Sequence, residues 1–212
     1  MAGSAIAERP ASRIATAAIL VTAFFVGAVL MGFEMLGSRY LFPYFGGGIG
    51  TWAGLISTVL AALTIGYFIG GALVDRHPTP RLIAVASALA ALYLAAVPAT
   101  ADPVMSFILD QFGDGPTGIL LAASALLLIP LSFLGTFSPV AIRLLLRSMH
   151  QSGRIAGMVY GVATIGNIFG TLFTTFWLIP TIGSRAITYV DAGVLAVSAI
   201  VMWLLPNPAD DA

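Results

Sequence analysis

The side chains best suited to chemistry in this sequence are a few ionisable and phenolic groups set among long apolar runs. Five of them stand at the end of the first run and the start of the last: Glu34, Arg39, Tyr40, Arg185 and Asp191. Counting 1.5 Å per helical residue from an entry near residue 14, Glu34 reaches a depth of roughly 30 Å. Asp191 lies roughly 9 Å below the same surface by the same rise. We therefore expect the two acids, Glu34 and Asp191, and the two arginines, Arg39 and Arg185, to converge at one outward-facing vestibule.

Two interpretations of this vestibule stay open. Glu34 and Asp191 can each neutralise a neighbouring arginine at a wet interface, or one of them can bind a cationic solute or a proton. Asn167, about twelve residues into the fifth apolar run, is expected near mid-membrane, where its amide must find a hydrogen-bond partner. That partner is either another helix or a solute. Tyr67 and Tyr160 are further polar side chains suited to the same interior.

Several kinds of chemistry have no support in the sequence. It contains no cysteine, which excludes disulfides, thiolate metal sites and cysteine nucleophiles. All its basic residues are arginine, so no Schiff-base or phosphate-loop lysine is present. Neither histidine has companions at metal-ligand spacing. The glycines at 46–50 follow no strand and precede no lysine, so they favour a hairpin over a phosphate cradle. We expect no enzyme activity, no cofactor and no metal.

The composition is typical of a membrane protein. Hydrophobic residues make up 59% and charged residues 8% of the 212 residues, against about 25% charged residues in ordinary globular domains. The apolar residues come in blocks of about 20, the length that spans a hydrocarbon core of roughly 30 Å. The formal net charge is zero, which gives no support to nucleic-acid binding. The bilayer is the expected partner.

The predicted fold is all-α, with six transmembrane helices in a membrane domain over residues 13–206. The predicted spans are 14–36, 50–74, 81–99, 117–147 with a kink at Pro130, 155–179 and 185–205. Pro43 and the glycines after it are expected to end the first helix region. Residues 100–117 are expected to form a polar connection with a short interfacial helix. Residues 1–12 and 207–212 are predicted to be cytoplasmic tails.

The arginines predict the orientation, because basic residues in short loops are retained on the cytoplasmic side. With both termini inside, only Arg39 and Arg185 lie outside. The other seven face the cytoplasm: Arg9, Arg13, Arg76, Arg81, Arg143, Arg147 and Arg154. We expect a multi-pass protein of a bacterial inner membrane.

The turn GALVDRHPTPR, residues 71–81, resembles the loop signature between the second and third helices of the major facilitator superfamily. The segment GRIAGMVYGVATIGNIFG, residues 153–170, is similar to the start of that superfamily's fifth helix. The resemblance implies one six-helix half of a transporter. Asp75, Arg76, Arg81 and Arg143 would then form a cytoplasmic charge network that latches one state.

A second resemblance covers nearly the whole chain. The segments GFEMLGSRYLFPYFGGGIGTW, GYFIGGALVDRHP, GTFSPVAIRLLL and GRIAGMVYGVATIGNIFGTLFTTFWLIPTIGSR are similar to the membrane domain of the spermidine-synthase-like polytopic proteins. Many members carry a fused cytoplasmic aminopropyltransferase-like domain. This sequence contains none of that domain's cofactor loop or catalytic acids, so the resemblance implies no synthase activity.

Two hypotheses about function follow. In the first, two copies of the chain pair as the halves of a transporter and bind or move a small solute, possibly an amine, at Glu34, Arg39, Tyr40, Asn167 and Asp191. In the second, the chain is a non-transporting scaffold or accessory subunit of a larger membrane complex. The abundance of close-packing glycines is the sequence feature that favours the second hypothesis.

Overall fold

The computed structural model describes residues 13–146 and 151–206, and these residues are almost entirely helical. The helices are α1 (Arg13–Phe45), α2 (Ile49–Arg76), α3 (Arg81–Phe112), α4 (Pro116–Leu145), α5 (Ser152–Phe173) and α6 (Ile179–Trp203). Five helical stretches are long and apolar enough to cross a membrane, with α5 and α6 forming one stretch of 52 residues. The predicted all-α fold is therefore confirmed for the described residues.

The first and third helices run beyond their predicted ends. α1 continues through Pro43 and stops at Gly46, whose φ of 70° lets its N–H bond to the carbonyl of Phe42. α3 continues through Pro98 and Pro103 to Gly113, which ends it in the same way. The separate interfacial helix expected within 100–117 is therefore wrong, because residues 100–112 belong to α3.

Two helices contain irregular turns. α4 opens into a π-turn at Ser124–Leu128, directly before Pro130, and turns again at Thr136. A π-turn leaves room for a proline, which lacks the N–H that a regular helix uses. A second π-turn, Thr174–Leu178, joins α5 to α6. The helical stretch breaks at Gly183, where φ of 77° and ψ of 161° are open to glycine but not to other residues.

Three helix pairs build the bundle: α1 packs on α5, α2 on α4, and α3 on α6. Glycines allow the first two pairs to approach closely. A Cβ added at Gly166 would overlap the carbonyl of Phe24 in α1, and one added at Gly66 would overlap the carbonyl of Ser132 in α4. Backbones in contact without large side chains between them are typical of helices in lipid.

The third pair, α3 and α6, is held by polar contacts at both ends. Arg185 forms an ion pair with Asp102 at one end, and Arg81 lies over the ring of Trp203 at the other, 5.6 Å from its centroid. Along α3 these contacts are roughly 32 Å apart at 1.5 Å per residue. That distance matches the hydrocarbon thickness of a bilayer.

Candidate functional site

A cavity of about 130 Å³ lies between α1, α2, α4 and α5. Five polar side chains line it: Tyr67, Ser138, Tyr160, Thr164 and Asn167. The rest of its wall is apolar or glycine, with Gly27, Leu30 and Met31 from α1. The cavity volume is well above the space that one water molecule needs.

Asn167 lines this cavity from α5. Its Oδ1 is buried and has no hydrogen-bond partner, and it lies beside the backbone of Gly27 in α1. A Cβ at Gly27 would come within 2.9 Å of that oxygen, so only glycine leaves room for the amide. A hydrogen bond from another helix, one of the two partners expected for Asn167, is therefore not formed to this oxygen among the described residues.

The hydroxyl groups of the cavity are also available. Tyr67, Ser138, Tyr160 and Thr164 make no hydrogen bond to another group in the described part of the chain. Tyr67 lines the opening from α2 and Tyr160 lines it from α5. A solute in the cavity would therefore meet two phenols, two aliphatic hydroxyls and an amide, all without internal partners.

Glu34 lies on the cavity face of α1 but beyond the cavity itself. It follows Ala23, Gly27 and Leu30 at the spacing of one helical face, and it is only 7% exposed. No hydrogen bond or ion pair to Glu34 is found in the described residues. α1 runs on to Phe45, so Glu34 lies roughly 16 Å before the end of this helix.

Asp191 does not share a site with the cavity residues. It is 7% exposed in α6, which packs on α3 and α1, and its Oδ2 has no hydrogen-bond partner. One turn closer to Gly183, Thr188 shares a 3.0 Å hydrogen bond with the hydroxyl of Tyr40. Tyr40 therefore joins α1 to α6 and does not line the cavity.

The arginines are not paired as the first interpretation of the vestibule required. Arg185 binds Asp102 instead of Asp191, and this pair is exposed. Arg39 is exposed and forms no ion pair among the described residues. The expected convergence of the two acids and two arginines at one vestibule is therefore not present in this structure.

The structure describes all four residues of the expected cytoplasmic charge network, Asp75, Arg76, Arg81 and Arg143. Asp75 and Arg76 are exposed and Arg143 is half-buried, and no ion pair joins these three residues in the described ranges. Arg81 lies over Trp203. Arg147 falls outside the described residues. Among the residues that the structure covers, no cluster of three metal-ligating side chains is found.

The sequence contains a short internal repeat that points to this site and that the motif search did not include. The segment TIGYFIG at 64–70 and the segment TIGNIFG at 164–170 share the pattern T-I-G-x-x-x-G, one hundred residues apart. The residue after the first glycine is Tyr67 in one copy and Asn167 in the other, and both line the cavity. Ser138 and Gly27 carry no comparable signal.

No protein family, curated protein or solved structure matches the chain.

Proposed function

We propose that the chain is a six-crossing membrane unit of transporter type, which binds a small amine in the cavity and works as a pair of identical copies. Six crossings follow if the 52-residue stretch turns back at Gly183, since its length far exceeds one crossing. Alternation of the helices then brings the arginines of the described ranges at 13, 76, 81, 143 and 154 to one end. By the positive-inside rule this end is cytoplasmic, in a bacterial inner membrane.

An internal repeat supports the transporter architecture. The first repeat is α1, α2 and α3, and the second is α4, α5 and α6. If each helix is exchanged with its equivalent in the other repeat, the same three main helix pairs result. Three crossings per repeat place the second repeat upside down relative to the first. Inverted repeats of this kind are found in many transporters, whose solute sites lie near the bilayer midplane between the repeats.

The repeat holds at the level of single contacts. Gly70 would meet Thr136 if it carried a Cβ, and its counterpart Gly170 would meet Ala28. The same shift relates the contact of Gly66 with Ser132 to that of Gly166 with Phe24. These two contacts between α2 and α4 thus have equivalents between α5 and α1. This agreement also supports the resemblance to one half of a major facilitator, which contains an inverted repeat of the same kind.

The cavity is the observation that carries the proposed function. Leu63 and Ala163 are repeat equivalents, and both line it, which places it where the two repeats meet. Unpaired hydroxyl and amide groups inside a bundle are costly unless a solute, water or a partner satisfies them. A solute with several hydrogen-bonding groups would do so.

The carboxylate of Glu34 indicates that the solute is a cation. It is the acidic side chain on the cavity face of α1, one turn beyond Leu30, and it has no cationic partner among the described residues. An ionised carboxylate in such surroundings requires a counter-charge. A small amine reaching from the cavity supplies one, with its other end among Tyr67, Tyr160 and Asn167.

Uptake into proteoliposomes tests this function. Purified protein is reconstituted and assayed with radiolabelled linear mono-, di- and polyamines and with a matched series of neutral polyols. We expect saturable uptake of an amine that Glu34→Gln abolishes and the exposed control Asp110→Asn leaves unchanged. Absence of both uptake and amine-dependent thermal stabilisation would contradict the proposal and favour the scaffold hypothesis.

A further inference from the structure

Asp191 is a buried carboxyl that the solute cavity does not use. It lies in α6, is 7% exposed, and its Oδ2 is buried without a hydrogen-bond partner. The cavity is lined by residues of α1, α2, α4 and α5, so α6 forms no part of its wall. A solute held in the cavity is therefore not the partner of this carboxyl.

No positive charge is available to Asp191 in the described ranges. Arg185, six residues earlier in α6, forms its ion pair with Asp102 of α3. On α1, Arg39 is exposed, and Glu34 adds a second buried carboxyl instead of a cation. The π-turn that joins α5 to α6 contains no titratable side chain. The other ionisable groups of α1, α3 and α6 lie near the helix ends, are exposed, or are phenols: Arg13, Tyr40, Tyr44, Arg81, Tyr93, Asp110 and Tyr189.

Three hydroxyl groups of these helices already have other acceptors. Thr188 lies one turn before Asp191 in α6 and donates its proton to the carbonyl of Ser184 over 2.8 Å. Its oxygen therefore accepts the proton of Tyr40, 3.0 Å away on α1. The phenol of Tyr93 on α3 donates to a carbonyl of α4. These hydroxyls thus leave Asp191 without a donor.

A proton is the ligand that fits such a carboxyl. An ionised carboxylate is costly inside a bundle when it has no cation or donor. The protonated acid avoids this cost and presents an O–H donor of its own. A hard metal cation such as Ca²⁺ takes about 6–8 oxygen ligands. No group of three metal-ligating side chains is found in the part of the chain that the structure describes.

Two observed contacts fix the register of α3 against α6 around this proton. Arg185 pairs with Asp102 near one end, and the arginine that begins α3 lies over Trp203 near the other. The helices are therefore antiparallel. Asp191 lies six residues after Arg185 and twelve before Trp203. Counting back along α3 by the same numbers of residues places it opposite residues 93–96.

This part of α3 contains an acceptor for the proton. Pro98 has no N–H, so the carbonyl of Leu94, four residues earlier, lacks its regular helical donor. Both residues are buried. A buried carbonyl without a donor is costly, just as a buried acid without a partner is. The O–H of a protonated Asp191 satisfies both groups at once.

We propose that Asp191 binds a proton reversibly between α1, α3 and α6 and donates it in a hydrogen bond to the carbonyl of Leu94. The step is an acid–base equilibrium, in which the carboxylate takes the proton from water and returns it to water. The exposed Arg185 lies roughly 9 Å away along α6, so water at this end of the bundle is the source. The bound proton links α6 to α3, and its release removes that link. This site goes beyond the proposed function.

Infrared spectroscopy tests the proton directly, because a protonated carboxyl has a C=O stretching band that an ionised carboxylate lacks. Spectra are recorded in nanodiscs without amine, in a Glu34→Gln background that removes the other buried carboxyl of the described residues. We expect this band at neutral pH, a shift of the band in D₂O, and its reversible loss at alkaline pH. Asp191→Asn should abolish the band, and Asp110→Asn, at an exposed position, should not.

Two results would overturn the proton site. One is a spectrum without this band at neutral pH, and the other is a band that persists in Asp191→Asn. Loss of the band when Na⁺ or Ca²⁺ is raised at constant pH would assign the site to a metal cation instead. Since neither amine nor Glu34 is present, a confirmed proton with no amine uptake would contradict the proposed function alone.

Pro98→Ala tests the acceptor. Alanine restores an N–H to α3, so the carbonyl of Leu94 regains its helical donor and the acid loses its acceptor. The carboxyl band should then move to higher wavenumber. Pro103→Ala, at the other proline of α3, should leave the band in place. A band that stays unmoved in Pro98→Ala would overturn the hydrogen bond to Leu94.

Discussion

Tyr67 and Asn167 occupy the same position in two copies of one helical motif, and both side chains line the same cavity. The repeat therefore gives the cavity two walls of similar shape and different chemistry, a phenol on α2 and an amide on α5. A solute bound between them meets different groups at its two ends. The site consequently favours one orientation of an asymmetric solute.

Replacing Asn167 with leucine should separate stability from binding. The buried Oδ1 has no partner, and removing such a group while keeping the volume should stabilise the protein by roughly 1–3 kcal/mol. Amine-dependent stabilisation should be lost at the same time. Thermal unfolding in nanodiscs, with and without amine, measures both effects. Ile165→Leu on the exposed side of α5 is the control and should change neither. A less stable Asn167→Leu protein would show that the amide has an internal partner.

The repeat predicts that alanine is equally damaging at two positions one hundred residues apart. A Cβ at Gly66 or Gly166 would overlap backbone atoms of the helix it packs against, and overpacking of this kind costs roughly 1–3 kcal/mol. Unfolding free energies of Gly66→Ala and Gly166→Ala should therefore fall by similar amounts. Gly71→Ala has open space and should be neutral. If only one of the two substitutions destabilises, the proposed equivalence of the repeats is wrong.

Gly183 should be intolerant of any side chain. Its φ and ψ lie in a region that is almost exclusive to glycine, so Gly183→Ala should cost about 1–3 kcal/mol. The helix has to turn back here for the chain to cross six times. Equilibrium unfolding in detergent measures this loss of unfolding free energy. Gly193→Ala is the control, because a Cβ there meets nothing within 4 Å. Equal stability of the two variants would place the turn elsewhere.

Much of the fold was predictable because lipid imposes a simple rule. An apolar block of about 20 residues has few alternatives to a helix, so α2 was found nearly to the residue. α1 and α3 run past their predicted ends because neither Pro43 in α1 nor the polar residues after Pro98 in α3 end the helix. Met105 and Ile108 continue the buried face of α3 past Pro103, and burial there outweighs the one hydrogen bond that proline removes.

The site was predictable only in part. Asn167 was identified because an amide in the middle of an apolar run requires a partner. Glu34, Asp191 and Arg185 were grouped by depth alone, and depth does not show which face of a helix a residue occupies. The structure separates them because Arg185 has Asp102 available on α3. The sequence predicts how far along a helix a residue lies, but only the packing of the helices shows which residues it faces.

The occupancy of the cavity is measured most directly with Ser138→Cys, because the wall residue Ser138 becomes the sole thiol of the protein. The rate of its modification by a small methanethiosulfonate reagent is followed in nanodiscs with increasing amine. We predict that the thiol reacts readily, that amine slows the reaction in a saturable manner, and that Glu34→Gln removes this protection. A thiol that reacts at the same rate at every amine concentration would contradict the account.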